Sequence, residues 1–175
     1  QRTFIGCTVF NQALDRWGVG QVRSFSAMFN NCKAFNQDIG NWDVSSAIHL
    51  SMMFAGASSF NQDIGAWQLD NVKRIHTMFY GAASFNKYIG DWDVSRVANF
   101  GSVFRQATSF NQDLRKWDLS QATNMSWMFA NAANFNQDIG NWEVSRVENM
   151  SYLFFYASSF NQDIGDWEVS AVSDM

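Results

Sequence analysis

The chain has 175 residues, 47% hydrophobic and 16% charged, which is enough apolar material for a buried core and argues against disorder. A net charge of −4, a pI near 5.0 and twelve basic residues with no basic run argue against nucleic acid as a partner. No stretch of 18 apolar residues occurs, so no membrane insertion by this segment is expected.

From the N-terminus onward one pattern returns every 25 residues without a slip in register. Phe10–Asn11 recurs at 35–36, 60–61, 85–86, 110–111, 135–136 and 160–161. Trp17 recurs at 42, 67, 92, 117, 142 and 167, and Phe4 at 29, 54, 79, 104, 129 and 154. Such a period predicts a solenoid, because an inserted residue in any coil would misalign every column of side chains. Residues 1–175 therefore read as one solenoid segment of seven coils. Gln1 is not an initiator Met, and the reading is of a segment excised from a longer repeat protein.

The first coil, FNQALDRW, lacks the Asp and Gly that later coils carry at positions equivalent to 13 and 15. It shares a column of small residues with the second: Cys7 and Cys32 precede Ala57, Ala82, Ala107, Ala132 and Ala157. Free inward thiols are expected, since parallel Cβ vectors on adjacent coils sit farther apart than the ~3.8 Å of a disulfide. In the second coil Ala47, Leu50, Met53, Phe54, Ala57 and Phe60 recur at spacings of three and four, predicting a short helical or 3₁₀ arc. Around each Trp the spacing is two, with Trp142 and Val144 apolar and Glu143 and Ser145 polar, predicting a short strand. The expected fold is thus an α/β, leucine-rich-repeat-like solenoid, each coil one short strand plus a helical or 3₁₀ arc. Gly40, Gly65, Gly90, Gly140 and Gly165 are expected to supply a positive φ before the strand, although Arg115 shares their column. His49 and His76 fall in different columns and belong to no catalytic motif.

The last coils depart most from the pattern. Trp127 and Tyr152 stand where earlier coils have Ala27, Met52, Thr77 and Ser102, and Phe155 and Tyr156 follow on the same arc. These four are the candidate partner contact, since repeat packing does not demand them. Asn124-Met-Ser126 and Asn149-Met-Ser151 are glycosylation sequons. The last unit ends at Met175 without a polar cap, which predicts further coils beyond it or stacking on other chains.

Three columns invite a chemical reading. The Asn11–Asn161 column is expected to form an internal amide ladder that satisfies turn backbone. The Trp column, in phase with Val19, Val44 and Leu69, is expected to be core rather than a stacking platform. Asp43, Asp93, Asp118, Glu143 and Glu168 form a candidate acidic face, which gives Ca²⁺ or a basic partner as the functional reading. No cofactor is otherwise indicated, and no Walker loop, HExxH or CxxC occurs.

The units resemble the BspA-like surface-protein repeats and the bacterial surface repeat DUF285, through MFAGASSF at 53–60, NQDIG at 61–65 and the Trp-containing stretch at 67–75. The resemblance implies an extracellular or cell-surface protein with adhesive or structural roles and no catalytic residues. The expected function is a non-catalytic scaffold contacting other protein chains, further repeats or surface glycans. The alternative is a carbohydrate- or Ca²⁺-dependent binding module acting through the acidic face.

Overall fold

The computed structural model describes residues 3–175; Gln1 and Arg2 lie outside the described residues. The chain winds into stacked 25-residue coils, each bonded to the coils before and after it. The strand-plus-helix architecture expected from the sequence, and with it the leucine-rich-repeat likeness, is not what forms. Among the described residues there is no helix, and extended pairing is confined to isolated parallel bridges such as Ser24–His49, His49–Arg74 and Asn124–Asn149.

The backbone hydrogen bonds explain both corrections. Along 25–31, every second N–H leaves its own coil: Phe25, Ala27, Phe29 and Asn31 donate to the carbonyls of His49, Ser51, Met53 and Ala55 at 2.7–2.9 Å. The N–H groups of Met28 and Cys32 instead close four-residue turns onto Phe25 O and Phe29 O, both at 3.0 Å. An α-helix needs an unbroken run of bonds to the residue four back and negative φ throughout. Here Ala27 and Asn31 take φ of 55° and 58°, the third-residue signature of type II turns. The three-and-four apolar spacing comes from consecutive tight turns, which also return side chains to one face.

The expected strand fails for a different reason. Trp42 N–H closes a turn onto Ile39 O and Ala47 N–H onto Val44 O, leaving only 42–44 extended between turns. The N–H of Ser45 is taken by the Asp43 carboxylate at 3.0 Å instead of by a neighbouring coil. Trp and Val still face inward, which is why the alternation is visible in the sequence.

The glycines at 40, 65, 90 and 140 are also used otherwise than expected. Positive φ among the glycines belongs to Gly6, Gly56 and Gly81. At Gly40 and Gly65 the next coil's backbone is the constraint: an added Cβ would meet Asp63 O or Tyr88 O at 2.6 Å.

The core is an aromatic column. Phe29 and Phe35 stack at 3.9 Å within one coil, and each stacks on its successor, Phe54 at 5.8 Å and Phe60 at 5.9 Å. Trp67 and Trp92 stack at 6.3 Å, and both are 3% exposed. Each buried Trp from 42 to 167 donates its indole N–H to a carbonyl of the preceding coil, as Trp92 does to Ile64 O at 3.1 Å. From Trp42 on the Trp column is therefore core with its one polar atom satisfied, whereas Trp17 in the first coil is 44% exposed.

Candidate functional site

The surface divides into columns whose polar residues complete the coil and columns that are free to do something else. The Asn column belongs to the first kind. Asn36 Oδ1 accepts the N–H of Asn61 and the side-chain amide of Gln62, both at 2.9 Å, and the same pair recurs up the stack. Asp38, Asp63, Asp113, Asp138 and Asp163 each accept the N–H two residues on, at 2.9–3.1 Å.

The acidic face is exposed and in line, as its spacing implied. Each member also caps a turn: Asp43, Asp93, Asp118, Glu143 and Glu168 accept the N–H of Ser45, Ser95, Ser120, Ser145 and Ser170 at 2.9–3.0 Å. Hydrogen bonds from those serines hold the carboxyls of Asp43, Asp93 and Glu143 below their ordinary pKa. The carboxylates stand in a row, and no group of three His, Cys, Asp or Glu side chains able to hold a metal ion occurs among the described residues. Both sequon asparagines are caps as well, Asn124 Oδ1 to Ser126 N–H at 2.8 Å and Asn149 Oδ1 to Ser151 N–H at 2.9 Å.

Cys7 is exposed and Cys32 buried, both as free thiols. His76 Nδ1 lies 3.1 Å from Ser51 Oγ, a pairing absent from the sequence reading. Burial and the nearby Arg74 charge lower the His76 pKa. Ser51 is 4% exposed, and with His76 it lines a cavity of about 270 Å³.

The four irregular aromatics do come together. Trp127 and Tyr152 stack at 4.1 Å, and Phe155 stands edge-on to both at 5.7 Å. Tyr156 packs edge-on to Phe155 at 4.5 Å. Tyr152, Phe155 and Tyr156 are 54%, 42% and 74% exposed, so the cluster is a surface patch. On the other face of Trp127 lies the Arg105 guanidinium, 4.2 Å from the ring centroid. Trp127, Tyr152 and Tyr156 all take positive φ, between 53° and 59°. L-residues pay about 1–2 kcal/mol for that conformation, and the repeat uses it throughout: the Tyr156 column holds Gly6, Asn31, Gly56, Gly81, Gln106 and Asn131, and the Trp127 column Ala27, Met52, Thr77 and Ser102, all at positive φ.

One matching family is described as "Mycoplasma protein of unknown function, DUF285", over residues 1–112 and again over 85–175. The chain belongs to the DUF285 family. No curated protein and no solved structure matches it. The two overlapping matches together span residues 1–175 of the chain. No helix among its described residues is long and apolar enough to cross a membrane.

A second surface feature escaped the sequence reading. The twelve basic residues look scattered along the chain, but the winding gathers Arg23, Lys73 and Arg96 into one groove of about 480 Å³ with Gln21, Ser46 and Asn71. Wrapping the sequence at its own period would have shown it: Arg23 and Lys73 share a column, and Arg96 lies two columns away.

Proposed function

We propose that this chain is a non-catalytic scaffold that acts outside the cell and contacts a protein partner through Trp127, Tyr152, Phe155 and Tyr156. The observation that carries the reading is the exposed aromatic cluster itself, in which Trp127 and Tyr152 stack and Phe155 and Tyr156 pack edge-on beside them. The left-handed positions beneath Trp127, Tyr152 and Tyr156 recur in the other coils with Ala27, Met52, Thr77, Ser102, Asn31 or Gly56, so the coil does not require aromatic side chains there. Exposed aromatic surface that the repeat does not require points to use rather than to packing. The resemblance of the repeat units to BspA-like surface-protein repeats, read from the sequence alone, is what supports placing the scaffold at a cell surface.

The chemistry of the partner follows from charge. Residues 101–175 carry four basic against nine acidic side chains, a net −5, while residues 1–100 carry eight against seven, a net +1. Arg105 over Trp127 is an internal example of a cation seated on this cluster. A protein surface offering Arg or Lys beside apolar side chains fits both properties.

The test is the Tyr152→Gly, Tyr156→Gly double variant, assayed for binding to a panel of extracellular and surface proteins. Retained or raised thermal stability with at least a 10-fold loss of partner affinity is expected. A variant that keeps its partner, or a wild type that binds no basic surface protein, would refute the reading.

A further inference from the structure

We propose that the groove over Arg23, Lys73 and Arg96 is a binding site for an acidic polysaccharide. Its sulfate or carboxylate groups would meet the three cations, and its hydroxyls would meet Gln21, Ser46 and Asn71.

The ion pairs among the described residues are Arg115–Asp113 and Lys116–Asp91, both at 2.7 Å and both elsewhere on the coil. Arg23, Lys73 and Arg96 are exposed and have no carboxylate within ion-pair distance. Asp93 accepts Ser95 N–H at 3.0 Å and acts on the Arg96 charge only from beyond ion-pair distance. Three cations that line one concavity without an ion pair repel each other, and a bound anion would relieve that repulsion. No turn needs their charge, in contrast to the acidic columns, which cap backbone.

Spacing is fixed by the solenoid. Ile48 N–H donates to Arg23 O at 2.8 Å and Lys73 N–H to Ile48 O at 3.0 Å, so the two cations are locked two coils apart. At the ordinary interstrand spacing that is about 10 Å, a rigid pitch suited to a linear chain with charge at regular intervals. Preorganisation of this kind lowers the entropy lost on binding.

The lining selects among polyanions. No aromatic side chain borders the groove, so it offers no platform for base stacking. It also lacks the Trp or Tyr anchor typical of a protein hot spot. Amide and hydroxyl side chains beside fixed cations match a hydroxyl-rich anionic glycan. The site is separate from the aromatic patch, so it stands or falls independently of the partner proposed above.

The experiment is isothermal calorimetry of the folded chain with heparin as a sulfated probe and polygalacturonate as a carboxylate-only probe. Neutral dextran, poly-glutamate and a single-stranded oligonucleotide serve as competitors. Saturable binding that weakens steeply with added salt is expected for at least one anionic glycan, and the two probes distinguish sulfate from carboxylate. Arg23→Gln, Lys73→Gln, Arg96→Gln should lose at least 10-fold in affinity with an unchanged melting temperature. Lys87→Gln, Arg115→Gln, Lys116→Gln makes the same change in net charge on another face and should lose less than 2-fold. Equal losses in the two triple variants, no binding by either glycan, or equal binding of oligonucleotide or poly-glutamate would each overturn the proposal.

Discussion

Cys7 and Cys32 occupy one column yet live in different solvents. Cys7 is exposed, whereas Cys32 is 0% exposed and its thiol donates to Phe4 O at 2.9 Å. Burial is the main reason that its pKa rises from 9.0 to about 11. Burial closes the Cys32 thiol to reagents while Cys7 is open to them, so a disulfide-exchange reagent should label one cysteine in the native chain and two after denaturation. The linkage sign also follows. Between pH 9 and 11 the unfolded thiol has lost its proton while the folded one keeps it, so folding stability falls as pH rises through that window. The contribution is fully present below pH 9 and amounts to ~2 kcal/mol. Cys32→Ala, which installs the residue of the later coils, should remove that part of the alkaline slope in denaturant titrations at pH 8 and 11. Identical slopes in the two proteins would show that the thiol does not titrate out of the core.

The glycine column gives the corresponding test of how one coil seats on the next. A Cβ at position 65 would meet the Tyr88 carbonyl at 2.6 Å, closer than real Cβ atoms approach backbone. At position 165 the nearest such contact is the Asp163 side chain at 3.2 Å, with no neighbouring backbone in reach. Gly65→Ala should therefore destabilise by about 1–3 kcal/mol, as overpacking does, and Gly165→Ala by much less, in a comparison of chemical denaturation midpoints. Equal effects would mean that close approach of the next coil is not what requires glycine at position 65. At this scale the sequence is informative about columns and misleading about elements. Periodicity showed which side chains share a face and that Phe and Trp face inward, because each fact repeats seven times. It did not show that alternate N–H groups of the arc leave the coil, since tight turns and a helix give the same apolar spacing. The aromatic patch was legible as departures from the repeat, because Trp127, Tyr152, Phe155 and Tyr156 interrupt columns of small or polar residues. The basic groove was not, because Arg23, Lys73 and Arg96 are up to 73 residues apart in the linear sequence and meet only through the winding.

For the whole molecule, the stabilising contacts lie within one coil or between adjacent coils. Phe29–Phe35 and the tight turns are of the first kind, and the Phe29–Phe54 stack, the Asn ladder and the indole-to-carbonyl bonds are of the second. Stability should then be a sum of coil terms and nearest-neighbour interface terms, with no contact that depends on total length. Register becomes the quantity under selection, and deletions test it directly. Removing residues 66–90, one full period, brings Gly65 against Asp91, so the chain reads on in frame with every column intact. That variant should fold with an unchanged type of circular dichroism spectrum, free of the helical double minimum, and with a modestly lower melting temperature from the loss of one coil. Removing 66–89 deletes one residue fewer, and every downstream coil then enters the stack shifted by one. The shift sets Phe against Asn and Trp against acidic side chains along the junction, which breaks the aromatic column and leaves the indole N–H groups without carbonyls. The second variant should lose the cooperative transition across that junction, leaving two shorter stacks that melt separately or a chain that aggregates. If the out-of-register deletion melted as one cooperative unit at the temperature of the in-register one, coil-to-coil register would not be what holds this solenoid together.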